Sequence, residues 1–361
     1  MSRTKIMFFA FTGKEIEQPE KIFEIQDGYE CWNLKKLNLD EFSEEIKKKI
    51  PPVNQNVLPN YIVEDKSIGG IFGINKKLYE KSSWGLLVPD TLEEGGFAHT
   101  ETMFLFNLYS PNFLYPLFSV NDMGIMKQDS KKDPLIYFHT QDHSIFKTKE
   151  FVTFYKTLFE QSKYGSWYLD RIQKWEEEDW RLFVAAFLYT GLKDYENEKS
   201  SFGWQRESAE MATILESLFT AEKAKNEEIG YRLRKRIATL LSYRFPSIEE
   251  DIKELYTQRS AFVHGSFFAQ IAKDSKTANN NLPIPDFGLL YKQKEYVRWA
   301  LVAYLYLAQL VRLQSAMFGD IKTVINLLEQ SIIDIELRKK VLEETEKILS
   351  LMPKSKAFDK V

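Results

Sequence analysis

Cysteine is almost absent from this 361-residue sequence, in which Cys31 is the only one. A single cysteine cannot form a disulfide within the chain, nor can it supply the cluster of thiolates that a structural zinc site needs. The composition therefore excludes a disulfide-stabilised secreted scaffold. It favours a cytoplasmic protein, because lone thiols persist in a reducing compartment.

The sequence also lacks an uninterrupted apolar run of the length that a membrane span needs. The most apolar stretch, residues 296–317, contains Arg298 and Arg312. Two arginines inside a membrane span would be costly, so we interpret this stretch as a helix buried in a bundle or at a dimer interface. No membrane partner is expected.

Neither sign of charge dominates the sequence. The 49 lysines and arginines nearly balance the 52 aspartates and glutamates, leaving a formal net charge of −3. This balance excludes a grossly basic chain, but it leaves room for a local basic patch. Any affinity for nucleic acid would have to come from such a patch.

The length of the chain predicts two domains, each large enough to bury its own core. The first of them, residues 1–148, holds most of the glycine and proline together with short apolar runs rich in aromatic residues, a pattern typical of strands. The predicted strands cover residues 5–11, 21–25, 69–74, 84–88, 103–108 and 135–138. We expect a β-rich or mixed N-terminal domain with a sensing or regulatory role.

The pattern changes after residue 148 to long amphipathic segments, which are typical of helices. The predicted helices cover residues 151–161, 180–192, 205–220, 229–243, 248–263, 292–318 and 333–351. Residues 149–361 therefore form a predicted all-α domain, and the chain as a whole is predicted to be α+β.

One short segment at the end of a predicted helix combines residues suited to chemistry. Arg259 precedes His264 by five residues, which on an ideal helix separates the two side chains by about 140° beyond a full turn. Two geometries could still bring them together. Either the helix ends near Val263, with Gly265 as its C-terminal stop, or His264 meets the arginine of a second copy across a two-fold axis.

Arginine and histidine are together suited to RNA cleavage without a metal. A histidine can accept the proton of the ribose 2′-hydroxyl or return one to the departing 5′-oxygen. An arginine can stabilise the charge on the reacting phosphate by paired hydrogen bonds. Such a reaction leaves a 2′,3′-cyclic phosphate and spares DNA. On spacing alone, however, the pair is better explained as a surface arginine and a histidine that caps a helix.

Three sequence blocks together resemble the ApeA-like HEPN family. They are residues 215–219 (LESLF), residues 229–241 (IGYRLRKRIATLL) and residues 255–266 (LYTQRSAFVHGS). The resemblance is close over residues 204–266 and looser out to residue 318, and it does not reach the N-terminal half. It implies a helical HEPN bundle, a homodimer, and an endoribonuclease active in prokaryotic anti-phage defence or as a toxin.

The resemblance also assigns site residues. Arg259 and His264 match the two positions of the family's R-x4-H motif, which would make them catalytic. Ser260 is a supporting residue at a position where many HEPN ribonucleases carry asparagine, aspartate or histidine. That departure leaves a second hypothesis open, in which the domain is a non-catalytic HEPN module that binds RNA, a nucleotide or a partner protein.

Two further sets of residues are candidates for supporting roles. Glu216 interrupts an apolar helix face, so it needs a partner; it either orients Arg259 or His264 or forms a salt bridge with another arginine. A basic cluster could follow an RNA backbone or could simply be a solvated helix face. This cluster consists of Arg232, Arg234, Lys235 and Arg236.

Other motifs do not indicate a cofactor. His139 and His143 have the spacing of a metal pair but lack an evident third ligand, and His99 is interpreted as a loop histidine. The glycine clusters lack the spacing of a phosphate-binding loop. We expect neither a metal nor another cofactor. Because an unrestrained cytoplasmic ribonuclease would be toxic, we also expect restraint by the N-terminal domain or a regulatory partner, and activation by a phage-derived trigger.

Overall fold

A computed structural model describes the backbone of part of the chain and the side chains of 134 residues. The backbone is described for residues 4–9, 20–26, 29–33, 84–89, 107–109, 118–120, 126–127, 150, 153–154, 157–158, 177–195, 203–220, 226–265, 287–313 and 317–353.

The chain divides into two compact units. Unit 1 comprises Met1–Tyr155 and Tyr164–Asp170, and unit 2 comprises Lys156–Lys163 and Arg171–Val361. The boundary between residues 148 and 149 stays a prediction.

The backbone of unit 1 contains six described strands: β1 (Thr4–Phe9), β2 (Glu20–Gln26), β3 (Tyr29–Asn33), β4 (Trp84–Pro89), β5 (Phe118–Val120) and β6 (Met126–Lys127). They form one sheet in the order β2-β3-β4-β1-β5-β6, and each neighbouring pair is antiparallel. Strands β1, β2 and β4 coincide with three of the predicted ones. The strands predicted at residues 69–74 and 135–138 lie outside the described residues.

The prediction of an α+β fold with a β-rich N-terminal domain is contradicted by the part of the chain whose side chains are described. Of those 134 residues, 84% are helical and none lies in a strand. Within unit 1 they include Leu108 and Tyr109, which are helical although a strand was predicted over residues 103–108. The Tyr109 ring packs on Phe154 with the ring centroids 5.3 Å apart. A fold class depends on which elements bury an apolar face against one another, and in these residues only helices do so.

Unit 2 is a helical bundle over its described residues. Its seven described helices are α1 (Glu177–Tyr195), α2 (Gly203–Phe219), α3 (Asn226–Leu241), α4 (Ile248–Val263), α5 (Phe287–Leu313), α6 (Val324–Ile333) and α7 (Ile335–Leu349). Helix α2 packs on α1, α3, α4 and α5, and its packing on α4 is among the most extensive in the bundle.

Local capping sets several of the helix boundaries. The Thr323 side chain accepts a hydrogen bond from the backbone N–H of Asn326 at the start of α6. Asp334 ends α6 and begins α7, where its carboxylate accepts the backbone N–H groups of Glu336 and Leu337 at 3.0 Å each. One aspartate therefore separates the two helices. The predicted helix over residues 333–351 corresponds to α7, whereas α6 was not predicted.

Helix α5 forms the centre of the bundle. Its residues from Tyr296 to Ala308 are all buried. The Trp299 ring packs edge-on against Phe245, and the Tyr304 ring packs edge-on against Phe219 of α2. Apolar side chains surround α5 because other helices of the bundle pack on it, which explains its high hydropathy.

The arginine inside this apolar helix is neutralised within the bundle. Arg298 is 1% exposed and donates two hydrogen bonds to Glu295, at 2.9 and 2.7 Å, and one to the backbone oxygen of Pro353 at 2.7 Å. A buried charge persists only when it is paired in this way. Among the described residues, no helix has both the length and the apolar character that crossing a membrane demands.

Candidate active site

Helix α4 places Arg259 on the side that packs against α2. Its buried residues Ile248, Ile252 and Leu255 recur at the spacing of one helix face, and Arg259 continues that face one turn later. The apolar periodicity of α4 thus turns the guanidinium toward the neighbouring helix and away from bulk water. The Arg259 side chain keeps 26% of its surface exposed.

Glu216 of α2 pairs with this guanidinium. The Arg259 Nη2 atom lies 3.4 Å from the Glu216 Oε2 atom, and the glutamate side chain is 18% exposed. The sequence left open whether Glu216 contacts the candidate arginine or another one. The structure places it against Arg259. Leu215 and Ala212 beside it are buried, so the carboxylate emerges from an otherwise apolar face.

Tyr256 completes a three-residue cluster with Glu216 and Arg259. Its ring centroid lies 5.9 Å from the Arg259 Cζ atom, and its hydroxyl is close enough to Glu216 to influence the pKa of that carboxyl. The ring also lies against Gly230 of α3, where an added Cβ atom would be 3.2 Å from the Tyr256 Cδ1 and Cε1 atoms. The absence of a side chain at Gly230 therefore makes room for the tyrosine.

The electrostatics of the cluster reflect its partial burial. Desolvation raises the pKa of the Glu216 carboxyl, while the positive charge of Arg259 and the hydrogen bond from Tyr256 act in the opposite direction. Burial also raises the pKa of the Tyr256 hydroxyl, and the neighbouring Glu216 charge adds to that effect. The tyrosine hydroxyl therefore keeps its proton and can act as a hydrogen-bond donor to the carboxylate.

Arg259 is only partly satisfied by these contacts. Its Nε atom is buried and has no hydrogen-bond partner in the described part of the chain. A guanidinium with all of its N–H groups paired could not take on another anion, whereas this one retains donor capacity.

His264 lies where α4 ends. The helix closes at Val263, the backbone N–H of His264 donates to the Ser260 oxygen at 3.0 Å, and Gly265 follows with a φ of 71°. Glycine adopts this left-handed conformation without the steric cost that a Cβ atom imposes. The predicted helix end with Gly265 as its stop is thus confirmed, and it leaves the His264 side chain exposed.

Ser260 and His264 have no side-chain hydrogen bond to any residue that the structure describes. Ser260 is half-buried and directly follows Arg259 in the sequence. Its hydroxyl therefore does not hold the guanidinium in place, a task that falls to Glu216. Its predicted supporting role stays a prediction.

The basic cluster of α3 does not act as one surface. Arg236 is 1% exposed and donates hydrogen bonds to the backbone oxygen of Phe219 and to Glu329. A side chain buried in this way cannot follow an RNA backbone, so the prediction of an RNA contact is wrong for Arg236. It was wrong because Arg236 lies on the helix face that packs into the bundle.

The other three basic residues of the cluster reach the surface, but each also contacts another group of the protein. The Lys235 Nζ atom lies 2.9 Å from the Glu249 Oε1 atom, and the Arg232 Nη1 atom lies 3.6 Å from the Glu329 Oε1 atom. The Arg234 Nε atom donates to the Gly230 oxygen at 3.2 Å. A role in RNA binding stays a prediction for these three.

No other predicted chemistry can be placed on the structure. His99, His139 and His143 lie outside the described residues. Where the structure describes the chain, no group of three or more potential metal ligands occurs.

Sequence reasoning missed Tyr256 and Gly230 as parts of the site. A signal existed for Tyr256, since a residue three positions before Arg259 on a helix lies on nearly the same face. For Gly230 there was no local signal, because its role depends on which helix packs over it.

Comparison with known proteins identified no relative of this chain. The chain matches no protein-family model, no curated protein and no solved structure. The likeness to the ApeA-like HEPN family therefore rests on the three sequence blocks alone.

Proposed function

We propose that unit 2 is a metal-independent endoribonuclease of the HEPN type, with Arg259 and His264 as its catalytic residues. The observation that carries the proposal is the end of α4. There, one helix turns Arg259 toward Glu216 and then stops so that His264 is exposed. An oriented guanidinium and an exposed imidazole, five residues apart, are the parts that the R-x4-H motif requires.

The proposed reaction uses the RNA's own nucleophile. The 2′-oxygen attacks the adjacent phosphorus while His264 accepts the 2′-hydroxyl proton. The histidine then returns a proton to the 5′-oxygen as the bond from phosphorus to that oxygen breaks. Arg259 stabilises the charge that builds up on the phosphate oxygens. The products are a 2′,3′-cyclic phosphate and a free 5′-hydroxyl.

A homodimer fits this geometry. Arg259 faces α2, whereas His264 lies past the end of α4, and a rotation of about 140° beyond a full turn separates the two positions on an ideal helix. Two copies related by a two-fold axis would place the His264 of one copy near the Arg259 of the other. Val263, beside His264, is 55% exposed, which suits a residue at such an interface.

The biological setting remains part of the proposal. We propose a cytoplasmic ribonuclease of anti-phage defence or of a toxin system, which the N-terminal unit or a regulatory partner restrains until a phage-derived trigger activates it. The lone cysteine fits a reducing compartment.

The decisive experiment incubates the purified full-length protein, alone and with each candidate trigger, with mixed cellular RNA in EDTA and analyses the product ends. Wild-type protein should leave cyclic phosphates, whereas His264→Ala should cleave nothing detectable and Arg259→Lys should be slower by about 100-fold. Lys253→Ala is a matched control, since Lys253 is an exposed cation of the same helix. Cleavage that survives both His264→Ala and Arg259→Ala in folded protein would refute the proposal.

The alternative function is a non-catalytic HEPN module that binds RNA, a nucleotide or a partner protein. The observation in its favour is Ser260, whose hydroxyl contacts neither Arg259 nor His264. Tight binding of RNA without cleavage, in the presence of every candidate trigger, would favour this function over the first.

A further inference from the structure

Tyr256 is the residue through which three helices meet at Arg259. Its ring centroid lies 5.9 Å from the Arg259 Cζ atom, and the same ring lies against Gly230 of α3. Its hydroxyl is close enough to Glu216 of α2 for the two groups to influence each other's pKa. A substitution at Tyr256 would thus affect the Glu216 carboxylate that pairs with Arg259. It would also change how far the guanidinium can move.

The ion pair alone does not fix Arg259. At 3.4 Å, the separation of Arg259 Nη2 and Glu216 Oε2 is longer than that of a strong charge-assisted hydrogen bond, which is about 2.7–2.9 Å. Both side chains keep some exposure to water, which weakens the pair further. A second contact is therefore needed to hold the carboxylate in one rotamer and the guanidinium over one position.

We propose that Tyr256 is a positioning residue of the Arg259 site, which holds Glu216 through its hydroxyl and limits the movement of Arg259 through its ring. Gly230 is the counterpart in α3 that gives the ring its place. This inference rests on the proposed ribonuclease function, since it states how the arginine of that reaction is oriented.

The two parts of Tyr256 have separate consequences. Removing the hydroxyl leaves the ring against Gly230, so the helices should stay packed while Glu216 loses one hydrogen bond. Removing the ring as well leaves a gap beside Gly230 and frees the guanidinium. The first change isolates positioning, and the second combines it with a packing defect.

The test uses the full-length protein with the variants Tyr256→Phe, Glu216→Gln and the double variant. We expect Tyr256→Phe to lower kcat by about tenfold, as is typical when a residue that orients a functional group is removed. KM should rise as well, because a guanidinium that is no longer held in place also binds the phosphate of the intact RNA less tightly. The unfolding temperature should stay near that of the wild type.

The double variant separates positioning from a structural role. If Tyr256 acts through Glu216, the double variant should be no slower than Glu216→Gln alone. Tyr291→Phe is the matched control, since it makes the same chemical change at a tyrosine that is 53% exposed on α5. A Tyr256→Phe protein with wild-type kcat would overturn the inference while leaving the proposed function intact. Losses that multiply in the double variant would overturn it as well.

A binding measurement covers the case in which no cleavage occurs. A 2′-O-methyl RNA oligonucleotide lacks the nucleophile, so its Kd reports how well Arg259 holds phosphate irrespective of chemistry. If the wild type cleaves no RNA in the presence of any candidate trigger, the ribonuclease proposal fails. The positioning inference is then supported by weaker binding in both Tyr256→Phe and Arg259→Ala, and is overturned by unchanged binding in Tyr256→Phe.

Discussion

The Arg259 guanidinium and the Glu216 carboxylate face each other across the packing of α4 on α2, with 3.4 Å between Nη2 and Oε2. The two residues are 43 positions apart in the sequence. Their pairing connects the R-x4-H motif to a carboxylate that would otherwise be a charge on an apolar face. The orientation of the candidate arginine is thus a property of the bundle and not of α4 alone.

Glu216 should make the stability of the bundle depend on pH. Because burial raises the pKa of this carboxyl in the folded state, its contribution to stability is fully present below the ordinary glutamate pKa and is lost as the pH rises through the folded pKa. The wild type should therefore gain stability relative to Glu216→Gln as the pH falls from about 7 to about 4.

Urea unfolding of both proteins across that range measures the effect, since charges elsewhere cancel in the difference between them. A difference that stays constant with pH, or one that grows in the opposite direction, would contradict the assignment of a raised pKa to Glu216.

Arg236 and Arg232 form a natural pair for testing the corrected role of the basic cluster. Both approach Glu329, but Arg236 is 1% exposed whereas Arg232 is 42% exposed. Arg236→Ala leaves the Phe219 carbonyl oxygen without this donor and opens a cavity, so it should destabilise the protein by about 3–5 kcal/mol. Arg232→Ala should cost about 0.5 kcal/mol, as for an exposed ion pair. Chemical denaturation measures the free energy of unfolding of both variants. A loss for Arg236→Ala as small as that for Arg232→Ala would show that Arg236 is not a structural residue.

Gly265 should matter for His264 through the backbone. Its φ of 71° disfavours any residue with a Cβ atom, so Gly265→Ala should cost about 1–2 kcal/mol and should shift the end of α4. Gly319→Ala imposes the same kind of strain at a φ of 66° away from the motif. Both variants should lose stability, but only Gly265→Ala should lower RNA cleavage. Equal RNA cleavage by the two variants would show that the end of α4 does not affect the reaction.

Gly230→Ala should test the contact with Tyr256. Alanine favours a helix by about 1 kcal/mol over glycine, but its methyl group would lie 3.2 Å from the tyrosine ring. Displacing the ring costs about 1–3 kcal/mol, so the variant should be neutral to destabilising in the wild type. In a Tyr256→Leu background the clash is removed, and the same change should become stabilising. Thermal unfolding of the four proteins gives the sign in each background.

Local sequence signals predicted much of the helical unit. Residues 248–263 were predicted as one helix, and α4 has those bounds, because its apolar spacing and the glycine after its end both act locally. Helix α6 was missed, although Thr323 and Asp334 cap its two ends. The Thr323 side chain caps the start of α6, and the Asp334 side chain caps the start of the next helix. Both residues were visible in the sequence, so this failure was one of interpretation and not of information.

Other features could not be predicted from the sequence. Arg234 and Arg236 are two residues apart in one basic run, and only the packing of α3 determines that the second of them points into the bundle. The predicted α+β class failed for a related reason, since short apolar runs suit either a strand or a buried helix, as Leu108 and Tyr109 show.

The sequence by itself determined the motif and its place at the end of α4, because a helix boundary depends on residues within a few positions of one another. The tertiary structure decided which partner Glu216 has, which face of α3 is buried, and that Gly230 lies beneath Tyr256. These outcomes depend on residues that are far apart in the chain and meet only when the helices pack, so no local pattern encodes them.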